Sequence, residues 1–310
     1  MILITGGMGF IGLHTARSLI DMGEQVVLTQ YRVAREPGFI QPEIGKNAFV
    51  EQLDVADGEA LLALGAKYKV DGLIHLATPG LGALDAAGDF RMNMSSLLNV
   101  LEAARTWEVK RLGIASSVTV YSGVQNGPFT EGMPLRTTPA NAVEAYKKAY
   151  EVLATHYAQR AALDVVLLRI AGIWGPLYHS MANVPSRLVH AAVKGEQPEL
   201  RGDLYEGDAQ DYCYVKDCGR GIALLQTAER LNHLTYNIGA GRATTNKELA
   251  EAIRRHIPNA SLPMKPGVTL DRHNPYMDLT RIKQDVGYEP VYGLDAAVSD
   301  YIAWLKENPE

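Results

Sequence analysis

Hydrophobic positions along the first two-thirds of the chain follow two alternating rhythms. Short apolar, often β-branched runs at 2–4, 25–29, 48–52, 72–76, 111–115 and 165–169 read as strands. Between them, stretches near 10–22, 58–68, 90–107 and 141–160 carry helical spacing and are long enough to cross from one parallel strand to the next. The alternation predicts an α/β fold: a doubly wound parallel sheet over residues 1–172. After Gly172 the rhythm stops, and Gly175, Pro176, Pro185, Gly195, Pro198 and Gly202 punctuate the chain, which predicts a smaller C-terminal lobe over 173–310. Two short runs, 213–215 and 236–238, read as strands returning to the first sheet, so the division near residue 172 is not a single cut.

Composition narrows the class. The 310 residues allow two domains, or one large unit with an attached lobe. With 30 Lys plus Arg against 35 Asp plus Glu, the net charge of −5 disfavours a nucleic-acid partner. No stretch approaches the ~18 uninterrupted apolar residues of a membrane span, and the N-terminal run has no cationic leader. Cys213 and Cys218 suit neither a disulfide framework nor the usual metal spacings, and read as two buried thiols of a cytoplasmic protein. The eight histidines form no H-E-x-x-H pattern, so no metal site is expected.

Gly6, Gly9 and Gly12 make a G-x-x-G-x-x-G turn between the first strand and the first helix. A dinucleotide pyrophosphate is held in such a place, on backbone amides at a helix N-terminus that side chains would otherwise block. The plain alternative is a tight turn without a ligand. At the end of the second strand an NAD site usually places a carboxylate for the adenosine ribose. Here Gln30 stands instead, followed by Arg32 and Arg35, whose guanidinium forks suit a 2′-phosphate, so NADP is expected over NAD. A solvated basic loop is the alternative there.

The fingerprint Thr5-Gly6-Gly7-Met8-Gly9-Phe10-Ile11-Gly12 resembles the extended short-chain dehydrogenase/reductases, the superfamily of the NAD-dependent epimerases and dehydratases of sugar nucleotides. Further matching segments follow in that family's order: Leu53-Asp54-Val55, Ile74-His75-Leu76-Ala77, Asn93 with Asn99 to Ala103, Ser116 to Tyr121, Leu168 to Pro176, Asp211 to Asp217, Tyr236 to Gly239, and Asp278 through Pro290. The similarity spans almost the whole chain. It implies a Rossmann-type sheet with a substrate-binding lobe. It also implies cofactor contacts from Gly6, Gly9, Phe10, Ile11, Gly12, Asp54, Val55, Leu76, Ala77, Asn93 and Lys147, beside Gln30, Arg32 and Arg35 read above from the residues themselves, and substrate contacts are expected from Thr78, Ser116, Val143, His179 and Gln210. Ser117 matches the serine that hydrogen-bonds a substrate oxygen. The stretches 90–107 and 141–160 resemble the two helices that pair between subunits, which implies a homodimer, and Leu97, Leu98, Leu101, Val152 and Leu153 fit that packing.

Two departures stand out against this resemblance. The family's acid is a tyrosine four residues before a lysine; it exchanges the substrate's proton while hydride moves, and the lysine binds the nicotinamide ribose and lowers the tyrosine pKa. Without a gap, Pro139 to Glu151 places Lys147 at the lysine and Val143 at the tyrosine. Tyr146 cannot restore the motif by a register shift, because Tyr150 stands four residues beyond it. Three accounts remain open: a neighbour takes over, with Tyr146 the first candidate and His75 and His179 behind it; the chemistry needs no tyrosine; or the cofactor binds without turnover. The second departure is Gln210, where sugar-nucleotide enzymes carry a phosphate-holding arginine before the aspartate. Arg201, Arg242 and Arg272 are the remaining cations of that lobe weighed as substitutes. The expected function is therefore an NADP-dependent oxidoreductase or epimerase of atypical acid/base chemistry, acting on a sugar, sugar nucleotide or similar hydroxyl or carbonyl compound. The alternative is a catalytically impaired NADP-binding regulatory or sensing protein.

Overall fold

The first ten elements are β1 (Ile2–Thr5), α1 (Phe10–Asp21), β2 (Val26–Gln30), β3 (Ala48–Gln52), α2 (Gly58–Lys67), β4 (Gly72–His75), α3 (Ala86–Thr106), β5 (Arg111–Ser117), α4 (Ala142–Ala161) and β6 (Val165–Ile170), strands alternating with crossover helices except between β2 and β3, where the described residues hold only a short 3-10 turn, Gln41–Glu43. Then follow β7 (Gly172–Trp174), α5 (Val184–Lys194), β8 (Ala209–Gln210), β9 (Tyr212–Tyr214), α6 (Val215–Thr227), β10 (Thr235–Ile238), β11 (Thr244–Thr245), α7 (Asn246–His256), α8 (Thr280–Val286) and α9 (Leu294–Glu307). These come from a computed structural model that describes residues 1–31, 38–78, 84–269 and 272–308.

Seven parallel strands form one sheet in the order β3-β2-β1-β4-β5-β6-β10. Alternation along each strand divides the apolar side chains between two cores. Leu3, Val27, Leu73, Leu112, Ile114 and Leu167 meet α2, α3 and α4 on one face, while Ile2, Val26, Leu28, Ile74, Val166 and Leu168 meet α1 and α6 on the other. The α1–α6 approach depends on Gly219, where a Cβ would lie 2.6 Å from the His14 carbonyl. Strand order reverses between β1 and β4, and in such sheets the crevice for a ligand opens at the carboxyl ends of those strands.

Helix caps explain where the sequence reading and the structure differ. α3 starts at Ala86 and not near 90, because Asp85 accepts the Gly88 amide at 2.6 Å. Asn141 caps α4 by accepting the Glu144 amide at 3.0 Å. Of the two returning strands expected, only 236–238 joins the large sheet, pairing Tyr236 with Leu168. The 213–215 expectation is corrected: β9 covers Tyr212–Tyr214 and pairs with β7, Cys213 beside Ile173, and Val215 opens α6. The reason is packing. Cys213 faces the sheet core, but Tyr212 and Tyr214 fill a third core with Trp174, Leu188, Leu249, Ile253, Val298 and Tyr301, built from β7, β9, α5, α7 and α9. Both thiols are buried, and burial pushes them well above the usual cysteine range. Among the described residues no helix is long and apolar enough to cross a membrane, and no group of three or more His, Cys, Asp or Glu is placed to hold a metal ion.

Candidate functional site

At the crevice, Gly6 turns at φ +68° and donates its amide to Thr29 Oγ1 at 3.0 Å. Cβ atoms would meet the Gly6 carbonyl at 2.9 Å from Gly9 and 2.5 Å from Gly12, so the turn closes only with glycine at these places. α1 begins after Gly9 without a side-chain cap and without an acidic residue in its first turn. Leu13 is the first amide to bond back, to Gly9 O at 3.0 Å. The amides of Phe10, Ile11 and Gly12 are thus left to an outside acceptor, and the positive end of the helix suits a phosphate there. The Phe10 ring lies 4.9 Å from that of Tyr178, which brings the stretch carrying the exposed His179 close to this turn.

The neighbouring strand ends complete the crevice. Gln30 is half-buried at the end of β2, and its carbonyl accepts the Leu53 amide at 2.8 Å. Arg32 and Arg35 lie outside the described residues. Asp54 folds its own turn by accepting the Ala56 amide at 3.0 Å. Asn99 of α3 holds the carbonyls of Val55 and Ala56 at 3.1 and 2.9 Å. Across the switch point, Thr5 Oγ1 and His75 Nδ1 pair at 2.7 Å. Burial, with the charge of Lys147 adding to it, pushes His75 down to about 3, so its ring stays neutral. Beyond His75, Ala77 lies so close that a Cβ on Gly6 would come within 3.0 Å of its amide nitrogen, and Thr78 is exposed.

Lys147 projects from α4 toward the end of β5, where its ammonium donates to Ala115 O at 2.8 Å. It is buried, and that burial pushes it down to about 8. Tyr150, whose ring centroid lies 5.2 Å from Nζ, donates to Asn93 Oδ1 at 3.0 Å. Asn93 is fully enclosed and donates in turn to Asp89 O at 2.8 Å, so its side chain is engaged within the protein and not open at the crevice. Val143 is half-buried one helical turn before Lys147, on the same side of α4. Tyr146 is half-buried and packs against the core between the sheet and α2, α3 and α4. Burial, then the charge of Asp89, raises its phenol pKa. It stands three residues after Val143 on α4.

Pleating sends the two serines to opposite sides of β5. Ser116 donates to Glu151 Oε1 at 2.5 Å, deep in a buried network. Glu151 takes two hydrogen bonds from Arg169, at 2.9 and 2.7 Å; Arg169 also reaches Tyr121 Oη at 2.9 Å, and Tyr121 donates to Asn237 at 2.8 Å. Ser116 is therefore turned away from the substrate side where the sequence reading placed it. Ser117 is half-buried and accepts the Thr119 amide at 3.2 Å, which leaves its hydroxyl proton to donate. Gln210 is exposed on β8, paired with Thr244 of β11. Its neighbour Asp211 is pushed up to about 6 by burial even though it accepts the amides of Ala240, Met277 and Gly241. Arg242 is paired with Glu248, and Arg201 and Arg272 are exposed.

The glycine turn, Leu76–Ala77, Ser117 and Lys147 thus lie at the carboxyl edge of β1, β4 and β5, with Val143 one turn before Lys147 on α4. A family model, described as the NAD dependent epimerase/dehydratase family, matches residues 2–239. The chain belongs to this family. It is 28% identical over 338 residues to a UDP-glucose 4-epimerase of Neisseria gonorrhoeae, covering 99% of this chain and 98% of that protein. It is 27% identical over 321 residues to a dTDP-glucose 4,6-dehydratase of an Actinoplanes species, covering 99% and 98%. Among solved structures, the UDP-glucose 4-epimerase of Thermotoga maritima with UDP-glucose superposes with a TM-score of 0.83 at 24% identity, over 100% of this chain and 99% of that one. The Bifidobacterium longum UDP-glucose 4-epimerase in complex with NAD+ and UDP gives 0.82 at 24% identity, over 99% and 98%. The epimerase/dehydratase fold is therefore present from end to end. Sequence reasoning did not find the Thr5–His75 pair, the Tyr150–Asn93 pair or the Arg169–Glu151 network. Only the four-residue step from Lys147 to Glu151, which puts both on one face of α4, hinted at the last.

Proposed function

We propose that this chain binds a nicotinamide dinucleotide along the carboxyl edge of its sheet and acts as an oxidoreductase or epimerase on a sugar, a sugar nucleotide or a similar hydroxyl or carbonyl compound. The observation that carries the reading is the pairing of an uncapped, acid-free α1 N-terminus with a buried ammonium at the end of β5. The first suits the pyrophosphate and the second suits ribose hydroxyls. The bound nicotinamide would supply hydride chemistry. Ser117 would orient the reacting oxygen, and Lys147 would position the ribose.

NADP is proposed over NAD, because Gln30 offers the ribose no carboxylate and because Arg32 and Arg35 follow it in the sequence. NAD, present in the Bifidobacterium longum structure, is the competing choice. Gln210 does not supply the positive charge that a diphosphate would meet, which favours a substrate that leans less on that contact. A second reading, a cofactor-binding regulatory or sensing protein, is supported by Val143 at the acid position together with Tyr146 packed toward α3. Calorimetric titration with NADPH and NADH, followed by 340 nm assays over a panel of sugars and sugar nucleotides, tests both readings. Binding with turnover supports the enzyme, and binding without turnover supports the sensor. No binding of either cofactor refutes both.

We further propose a homodimer paired through α3 and α4. Leu98 is 54% exposed and Leu153 47%, and both line an apolar groove of about 480 Å3 between the two helices, with Val152, 67% exposed, next to Leu153 on α4. A second copy of the same face would bury these side chains.

A further inference from the structure

A cavity of about 430 Å3 lies between α1, α6 and α9, away from the glycine turn, with His14, Arg17, Phe39, Arg220, Tyr292 and Trp304 in its wall. That volume is in the range of small-molecule sites. Its floor is chemically specific. His14 is 5% exposed, and its Nε2 donates to Pro176 O at 3.1 Å. Burial pushes the ring down to about 4, so it is neutral, and the lone pair sits on Nδ1. That atom has no hydrogen-bond partner among the described residues. The His14 ring stacks on Phe39 at 5.1 Å, and Phe39 meets the edge of Trp304 at 5.9 Å, giving the cavity aromatic walls.

Among the cations of the wall, Arg220 is the one without a carboxylate partner among the described residues. Arg17 pairs with Asp21 at 2.7 Å and Glu43 at 3.1 Å, and Lys216 with Asp300 at 2.7 Å. Asp217 accepts the amides of Val291 and Tyr292, one on each oxygen, at 2.8 and 2.9 Å. Arg220 donates to the Glu289 carbonyl and lies over the Tyr288 ring, but it faces no carboxylate within ion-pair distance among the described residues. Its Nε is buried without an acceptor. A guanidinium without an ion-pair partner is suited to a carboxylate, whose two oxygens match its fork.

We propose that this cavity binds an aromatic monocarboxylate that carries a hydrogen-bond donor on its ring. The ring lies against Phe39 and Trp304, the carboxylate meets Arg220, and the donor reaches His14 Nδ1. His14 also touches Phe10, at 6.2 Å between ring centroids, so the ligand sits one side chain away from the first turn of α1.

The test titrates the full chain, without cofactor, with 4-hydroxybenzoate, benzoate and 4-hydroxybenzamide, read by calorimetry and by the change in tryptophan fluorescence that a Trp304→Phe variant should lose. Saturable binding of 4-hydroxybenzoate is expected with a Kd below ~1 mM, with benzoate roughly threefold weaker and the uncharged amide at least about tenfold weaker. Arg220→Gln should weaken 4-hydroxybenzoate by at least about tenfold. Should that variant fail to fold, Val291→Phe at the exposed rim decides, because it fills the cavity from outside and should abolish binding. The proposal is overturned by the absence of saturable binding up to ~10 mM, by an amide that binds as well as the acid, or by Val291→Phe binding like the parent chain. None of these outcomes depends on the cofactor site.

Discussion

The Lys147 ammonium donates to the Ala115 carbonyl at 2.8 Å and meets no carboxylate within ion-pair distance among the described residues. A buried charge with one neutral acceptor is costly to the unliganded fold. The site is therefore organised for a partner that supplies further acceptors, and ribose hydroxyls are such a partner.

Replacing Lys147 with methionine should expose that cost. Burial holds the lysine at about 8, below its unfolded value, so at neutral pH it is charged in both states and its charge is penalised only in the fold. The penalty fades as pH rises from 8 into the ordinary lysine range. Lys147→Met should therefore stabilise the unliganded protein at pH 7 by ~1–3 kcal/mol, after allowing for the lost hydrogen bond to Ala115. Its advantage should shrink toward pH 10. The same variant should lose NADP affinity. Urea denaturation at both pH values, with calorimetry, checks this; a variant less stable than the parent at pH 7 refutes it.

His14 and His75 set the acid side of the stability curve. Burial lowers them to about 4 and about 3, so between pH 6.5 and 5 the unfolded chain takes up protons at these positions and the folded chain does not. Stability should fall across that window by ~2 kcal/mol for each histidine as an upper bound. NMR titration of the imidazole C–H signals should show these two histidines silent above pH 5. Two ordinary titrations near 6.5 at His14 and His75 would contradict the geometry.

The Glu151–Arg169 pair predicts a large loss from a small change. Arg169→Met leaves the Glu151 carboxylate enclosed with Ser116 as its remaining hydrogen-bond donor, and also strips a donor from Tyr121 and from the Glu131 carbonyl. Breaking one side of such a buried pair costs ~3–5 kcal/mol. Chemical denaturation of the variant measures it directly. A loss under 1 kcal/mol would show that the network contributes little.

How far the sequence carries the reader depends on the range of the interaction. The strands and helices around β1–β6 follow from local periodicity, and the glycine turn follows from residues within one strand-turn-helix unit. Val143 is legible because a four-residue spacing on one helix needs no tertiary knowledge. What was hidden is long-range. Nothing in Ser116-Ser117 says which serine points inward until Glu151 and Arg169, 35 and 53 residues past Ser116, arrive behind the first. Nor does Cys213–Val215 announce that Tyr212 and Tyr214 have a core of their own to fill. The neutral His14 is found only by following α1 to the Pro176 carbonyl, 162 residues away.

The proposed dimer can be broken without touching the crevice. Leu98→Glu with Leu153→Glu places two charges on the apolar groove between α3 and α4, where both side chains already face solvent in the single chain. The fold should hold, since surface changes of this kind usually stay within ~0.5 kcal/mol. Light scattering should then give the mass of one chain for the variant and of two for the parent at micromolar concentration. A parent chain that is already monomeric rejects the pairing.

Val143→Tyr asks whether the position opposite Lys147 can still be given an acid. Val143 lies in the first turn of α4, half-buried and outside the apolar cores, so a larger side chain there does not displace core packing. One turn away, the Lys147 ammonium should stabilise a phenolate and bring the new tyrosine below the ordinary value by about a unit or more. Difference absorbance at 295 nm against the parent chain reports that ionisation. Lys147→Met in the same background should raise it again, which separates the effect of the charge from that of the surroundings. If the new tyrosine titrates like a free phenol in both backgrounds, the two side chains do not face one another and the ungapped placement of Lys147 and Val143 fails. If it titrates low and turnover at 340 nm appears or rises, the missing acid is what limits the native chain.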